Sequence, residues 1–334
     1  MTMVASALAA PFLFDADAHV LEPPDLWDSY LDPAFRHRSI QFRRTADGID
    51  QLFVDNQLIL PNCTAALGGA ELDRNQAMDP RSRLGYLDGA PRSSMFGSDR
   101  DRLVIAAHLN LRDIPGAVKE LELRLDQGFK GVFLAPERVD GKGFADPHFD
   151  PLWARIEEAG VPLLVHVIVR TRRLVTGLVG DWYDTPANRT FTFALGAASQ
   201  VMPACMAMVM DGLFDKFPHL KVVAIEAGCG WVPYAMDRLD EKYRHFRGFD
   251  AELALGRPSE YFRRNLWFVA EPEERTIGSG LELVGRDRIL WGSDFPHIDA
   301  NLDAPELIRA SVARLSDADQ RAVLGENARR LFAL

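Results

Sequence analysis

Seven short apolar runs, each followed by an amphipathic stretch, constrain the fold of this chain more than any other feature. The runs are Phe12–Ala16, Leu103–His108, Gly131–Ala135, Val161–Val167, Lys221–Ile225, Leu266–Ala270 and Arg288–Trp291. Runs that lack polar alternation suit strands buried on both faces, the habit of parallel strands. Helical periodicity fills the intervals at Ile114–Gln127, Asp150–Ala159, Thr185–Phe214, Trp231–Arg247, Glu273–Val284 and Pro305–Leu315, and a last helix is expected over Asp317–Leu331. Strands alternating with helices make crossover βα units on a parallel sheet. Seven or eight such units close into a barrel, so the expectation is an α/β fold of the distorted (β/α)8 TIM type. One segment breaks the alternation. Ile40–Leu60 reads as a small β insertion after the first strand, with Gly48 and Asp55-Asn56 as turn residues. Pro61–Arg102 is polar and loop-like, and only Ser94–Phe96 offers a second barrel strand.

Composition narrows the class. Hydrophobic residues at 47% and charged residues at 26% exclude disorder, collagen and coiled coil. The net charge of −10 argues against nucleic-acid and anionic-membrane partners, which need a cationic surface. Arg36-His37-Arg38 and the Arg170, Arg172, Arg173 group read as solvated faces. Cys63, Cys205 and Cys229 form no C-x-x-C pair, which fits a reducing, cytoplasmic compartment. Met1–Ala10 imitates a signal peptide but has no basic start. Thr190–Met210 is uncharged and long enough for a bilayer, yet it holds Thr192, Ser199, Gln200 and Pro203, so a buried helix packed on a sheet is expected.

Chemistry-bearing residues gather at the ends of the runs. Asp15, Asp17 and His19 follow one another at a spacing of two, which places them on one face of the first strand. Charge at alternate positions of an apolar strand is costly unless a metal or hydrogen bonds compensate; a solvated strand end is the other reading. Glu22 follows, as a helix cap or as support to a site. His166 sits late in the fourth run, as a satisfied core histidine or as a ligand, and Arg170 shares its face. Glu226 comes directly after Lys221–Ile225, where burial would suit it to proton transfer. Gly228 and Gly230 permit close backbone approach there, and Cys229 reads as a packing residue. Asp294 stands just past the last run, at the strand end where barrel active sites lie, or as a turn cap. His297 follows Pro296, and Trp182 is a ring available for stacking or packing. Oxygen and nitrogen donors converging in this way favour Zn2+, Mn2+ or Fe2+ over a thiolate site. No phosphate-loop, nucleophile-elbow, H-E-x-x-H or dinucleotide glycine motif competes.

Four stretches carry a family resemblance: Asp15-Ala-Asp17-Ala-His19-Val-Leu-Glu22-Pro23, the lone His166, Phe217-Pro-His-Leu-Lys-Val-Val-Ala-Ile-Glu226-Ala-Gly-Cys-Gly-Trp231, and Trp291-Gly-Ser-Asp294-Phe-Pro-His297. Together with Gly128–Gly131 and Asp146–Trp153 they resemble the amidohydrolase-2 family, the aminocarboxymuconate-semialdehyde decarboxylase-like branch of the amidohydrolase superfamily. The resemblance implies a distorted barrel with one divalent metal, Zn2+ first and Mn2+ or Fe2+ next, a second ion remaining open. The ligands fall on Asp17, His19, His166 and Asp294. Bound water would be acidified to a pKa of roughly 7, with Asp294 as base and Glu226 as a second acid/base. Arg170, Trp182 and His297 are expected substrate contacts, and a homodimer is expected from the family alone. Decarboxylases of this branch carry a histidine after strand six, where this chain has Glu226. A carboxylate there repels a substrate carboxylate, so the expectation is a metal-dependent hydrolase of a small, aromatic or carboxylate-bearing substrate. The alternatives are a non-oxidative decarboxylase of an aromatic or unsaturated acid, and a catalytically idle barrel serving as a subunit. Ligands running from Asp17 to Asp294 must converge on one point, so one domain over 1–334, with an insertion at about 40–100, is expected in place of two.

Overall fold

The computed structural model describes residues 12–19, 25–60, 102–168, 189–250, 252–295, 297, 300 and 303–334. A short helix α1 (Leu26–Tyr30) leads into an antiparallel meander of β1 (Ile40–Arg44), β2 (Asp50–Val54) and β3 (Gln57–Leu60). This is the expected insertion. Its β2–β3 connection places Asp55 and Asn56 at φ 53° and 60°, the left-handed pair that a two-residue hairpin requires and that Asp and Asn tolerate. The expected strand at Ser94–Phe96 lies outside the described residues.

Six strands then run parallel in sequence order: β4 (Ala106–His108), β5 (Gly131–Leu134), β6 (Leu163–His166), β7 (Val222–Ile225), β8 (Leu266–Ala270) and β9 (Ile289–Trp291). Between them lie α2 (Ile114–Asp126), α3 (Asp150–Ala159), α4 (Arg189–Met210), α5 (Leu213–Lys216), α6 (Val232–Phe246), α7 (Pro258–Asn265) and α8 (Ile277–Leu283). The chain ends with α9 (Ala304–Val312), α10 (Asp317–Arg321), a π-helical turn at Ala322–Glu326 and α11 (Asn327–Leu331). The fold is of the TIM-barrel type, with a small antiparallel insertion after the first strand.

The segment expected as that first strand, Phe12–His19, lies beside β9, joined by backbone hydrogen bonds and one isolated bridge. Ala16 N–H donates to Trp291 O (2.9 Å), His19 N–H to Phe295 O (2.7 Å) and Asp294 N–H to Asp17 O (2.8 Å), and Ala18 bridges Phe295 in parallel. Its other end is held by the π turn, where Leu324 O accepts both Phe14 N–H (2.9 Å) and Trp291 Nε1–H (3.1 Å). A π turn leaves a carbonyl outside the regular helical ladder, and Leu324 uses it to anchor the strand that carries Asp17 and His19.

Two packed layers divide the apolar residues. Val132, Leu134, Val165, Val222, Ala224, Phe268 and Ile289 face outward and fuse with Trp153, Phe214, Tyr261 and Phe262 of the helices. Val223, Ile225, Val269 and Leu290 face inward and pack with Phe14, Ala16, Leu164 and Trp267. Period-two alternation along each strand produces both layers, which explains why the strands read as unbroken apolar runs. The uncharged stretch at Thr190–Met210 becomes α4, with Val201, Cys205, Met208 and Val209 in the outer core. The helix breaks after it at Gly212, whose φ is 76°. No helix among the described residues is long and apolar enough to cross a membrane.

Candidate metal centre

Four of the residues singled out in the sequence meet at the C-terminal ends of the parallel strands. Asp17, His19, His166 and Asp294 each offer one ligand atom, and these atoms lie within 4.8 Å of one another. His19 Nε2 is 3.0 Å from Asp294 Oδ1 and 3.4 Å from Asp17 Oδ1, and His166 Nε2 is 3.6 Å from Asp17 Oδ1. Asp17, His166 and Asp294 are buried and His19 is partly exposed, so the cluster opens to one side. Its ring and carboxylate orientations have local causes. Val167 O lies 2.6 Å from His166 Nδ1. A carbonyl can only accept, so Nδ1 carries the hydrogen and Nε2 is the ring atom turned to the cluster.

The donor set fits a divalent ion. His166 Nε2 and Asp294 Oδ2 are both buried without a hydrogen-bond partner, a costly state that cation ligation relieves. Glu226 Oε2 approaches His166 Nε2 to 3.2 Å, but without hydrogen-bond geometry. Two carboxylates and two imidazoles form a hard-to-borderline set suited to Mn2+, Fe2+ or Zn2+.

Electrostatics bind the cluster together. Burial alone would lower the His19 pKa, but hydrogen bonds to Asp17 and Asp294 outweigh it and push it up to about 10. Burial opposes ionisation of Asp17, yet the His166 and His19 rings hold its carboxyl well below the usual carboxylate range.

Asp15 takes a different part from its neighbours two and four residues on. Its Oδ1 accepts Ser293 N–H (2.9 Å) and Asp17 N–H (3.1 Å), bracing the first strand to the loop that bears Asp294. Burial pushes its carboxyl up to about 6 against those bonds.

Glu226 and His297 complete the rim. His297 Nδ1–H donates to Asp294 Oδ1 at 2.6 Å, and one ligand atom each from Glu226, Asp294 and His297 lie within 4.8 Å of one another. Glu226 and Asp294 both adopt left-handed backbone, with φ of 54° and 56°. That conformation is strained for residues with a Cβ and occurs where surrounding structure imposes it, commonly at functional sites. Arg170 and Trp182, the other expected substrate contacts, and Glu22 lie outside the described residues.

Glu274 carries a role that periodicity concealed. The expected helix over Glu273–Val284 begins only at Ile277, and the loop before it turns the Glu274 carboxylate towards the Glu226 loop. Glu274 accepts Cys229 N–H at 3.0 Å with both oxygens, Glu271 N–H at 3.2 Å and the Thr276 hydroxyl at 2.5 Å. A Cβ on Gly228 would stand 3.1 Å from Glu274 Oε2, and one on Gly230 would stand 2.8 Å from Thr276 Oγ1. The Gly-Cys-Gly spacing after Glu226 is therefore what lets the carboxylate reach Cys229 N–H. Cys229 itself is buried and its thiol is pushed far up, mainly by desolvation, so it is inert packing as expected. Glu274→Ala leaves Cys229 N–H unmatched and is expected to cost about 1–3 kcal/mol of stability, read from chemical denaturation. Glu274→Gln keeps acceptor oxygen and should recover part of the loss.

Comparison with known proteins agrees with this geometry. Residues 14–334 match the amidohydrolase family. The chain is 28% identical over 240 residues to a gamma-resorcylate decarboxylase of a Polaromonas species, covering 68% of this chain and 69% of that one. An amidohydrolase from Mycobacterium avium subsp. paratuberculosis superposes with a TM-score of 0.74 at 22% identity, covering 98% of this chain and 99% of that one. A dihydroxybenzoic acid decarboxylase from Polaromonas, solved with manganese and 2-nitroresorcinol, gives a TM-score of 0.56 at 22% identity over 74% and 75% of the two chains. The chain belongs to the amidohydrolase-2 family, in its aminocarboxymuconate-semialdehyde decarboxylase-like branch.

Proposed function

We propose that this chain is a divalent-metal-dependent, non-oxidative decarboxylase of an aromatic carboxylic acid. The observation that carries the reading is the Asp17, His19, His166, Asp294 cluster with two buried, orphaned donor atoms, His166 Nε2 and Asp294 Oδ2. The curated relatives add weight: a gamma-resorcylate decarboxylase, a 2-amino-3-carboxymuconate-6-semialdehyde decarboxylase and the decarboxylase orsB. They reverse the order of the two readings taken from the sequence, where Glu226 had tipped the balance towards hydrolysis.

Asp17, His19, His166 and Asp294 would hold the ion. Manganese suits two carboxylates and two imidazoles and is the ion bound in the Polaromonas decarboxylase structure. Bound there, it would supply positive charge that neutralises and orients the substrate carboxylate. The chain's own groups do the rest. Loss of CO2 breaks a carbon–carbon bond and leaves the electron pair on the ring carbon, which must take a proton. Glu226, at the rim beside His166, would deliver it. His297 holds Asp294 in place through Nδ1–H.

Purified protein reloaded with Mn2+ is expected to release CO2 from a panel of hydroxybenzoic acids, detected by coupled assay. Turnover of an ester, lactone or amide without CO2 release would overturn the reading in favour of hydrolysis. Metal uptake should also release protons. A ligand imidazole must be neutral, and His19 in the ion-free cluster is protonated well above neutral pH. Affinity for Mn2+ is therefore expected to rise with pH between pH 6 and pH 8, by about tenfold per unit. Calorimetry in two buffers of different ionisation enthalpy should return about one proton released per ion.

A further inference from the structure

The inner face of the barrel presents two rings beside the ligand cluster that the chemistry above leaves unused. Parallel register pairs His108 with Phe133 and Phe133 with Leu164, and His166 lies two residues beyond Leu164. Side chains alternate across a strand, so His108, Phe133 and His166 all project inward at the C-terminal ends of β4, β5 and β6. Their neighbours agree: Ala107, Val132, Leu134 and Val165 fill the outer core, and Leu164 packs inward.

The three rings form a row. Phe133 and His166 have centroids 5.6 Å apart with planes at 41°, and His108 and Phe133 are 5.4 Å apart at 87°. Phe133 is half-buried and belongs to neither core, although the strand residues on both sides of it are buried. A large apolar ring left part-open next to a metal-ligand histidine has surface still to be covered. His108 is exposed and has no hydrogen-bond partner among the described residues. An imidazole offers one donor and one acceptor nitrogen, so the far end of the row is polar and open to a ligand.

We propose that Phe133 and His108 form the wall that selects the substrate. The aromatic ring of the acid lies against Phe133 with its carboxylate towards the His166 end. A second polar substituent, on the side of the ring away from the carboxylate, is hydrogen-bonded by His108. The substrate class is then a benzoic acid with a hydroxyl remote from the carboxylate. This wall rests on the aromatic-acid reading above and goes further by fixing where the substituent stands.

The test is the affinity of Mn2+-loaded protein for benzoate and for 2-, 3- and 4-hydroxybenzoate, measured by calorimetry alongside CO2 release. A 3- or 4-hydroxyl is expected to tighten binding at least about tenfold over benzoate. In His108→Leu the ratio between hydroxybenzoate and benzoate affinities should collapse to about one. In Phe133→Leu every member of the series should weaken by about tenfold, with melting temperature recorded for both variants. Equal affinity across the series in the unmodified protein overturns the wall, and so does a hydroxyl advantage that survives His108→Leu. Binding and CO2 release without dependence on His108 overturn the wall alone. Absence of both binding and CO2 release overturns the wall and the reading beneath it.

Discussion

Asp294→Ala is expected to lower turnover by at least about a thousandfold, the upper range for removing a group that works on the reacting centre. Asp294 Oδ1 accepts from His19 at 3.0 Å and from His297 at 2.6 Å, while Oδ2 is buried and unmatched. One substitution thus removes a ligand atom, the partner of His19 and the partner of His297. Asp294→Asn separates charge from shape. Asn tolerates the left-handed backbone that Asp294 adopts, so the fold should persist while the anionic donor is lost. Both variants should retain little bound manganese, as measured by elemental analysis after dialysis against a metal buffer. Full turnover in either variant would remove Asp294 from the chemistry.

Gly292→Ala should be as damaging without replacing a ligand. A Cβ at this position would stand 2.3 Å from Asp17 Cβ, 2.9 Å from Val269 Cγ1 and 3.1 Å from Asp17 N. The first distance is far inside any carbon–carbon contact, and two of the three obstacles belong to the strand that carries the ligand pair. Relief requires that strand to move away from β9. Displacing ligands by such a shift is expected to weaken Mn2+ binding by about 100-fold, with about 1–3 kcal/mol of lost stability from overpacking. Gly278→Ala is the matched control. Its Cβ would meet only Leu315 Cδ2 at 3.7 Å, and alanine favours the helix it occupies. Calorimetric affinity should therefore fall in the first variant and hold in the second.

How far the sequence reveals this molecule depends on the range over which each signal acts. The parallel strands are legible because Val222-Val-Ala-Ile225 and Leu266-Trp-Phe-Val-Ala270 must be apolar on both faces, and no other element asks for that. Asp17 and His19 are legible because carboxylate and imidazole at alternate positions of such a strand need compensation. Asp15 shares their spacing yet serves to brace Ser293, because the strand meets a loop on one side and the cluster on the other. Glu274 was hidden inside a helical pattern, since its acceptor role depends on Cys229 N–H, 45 positions away in the chain. Leu324 O was invisible for a similar reason, as a backbone carbonyl freed by a π turn leaves no mark in residue type. His108 and Phe133 gain meaning only from register across β4 and β5, which no single strand encodes. Left-handed backbone at Glu226 and Asp294 likewise belongs to the folded loops and not to the residues themselves.

The proposed chemistry requires one ion at one place. Crystals of the Mn2+-loaded protein, with anomalous scattering recorded on both sides of the manganese absorption edge, address this directly. The expected result is a single anomalous peak per chain, in contact with Asp17, His19, His166 and Asp294. A peak elsewhere in the barrel, or fully loaded protein with no peak among these four side chains, would contradict it.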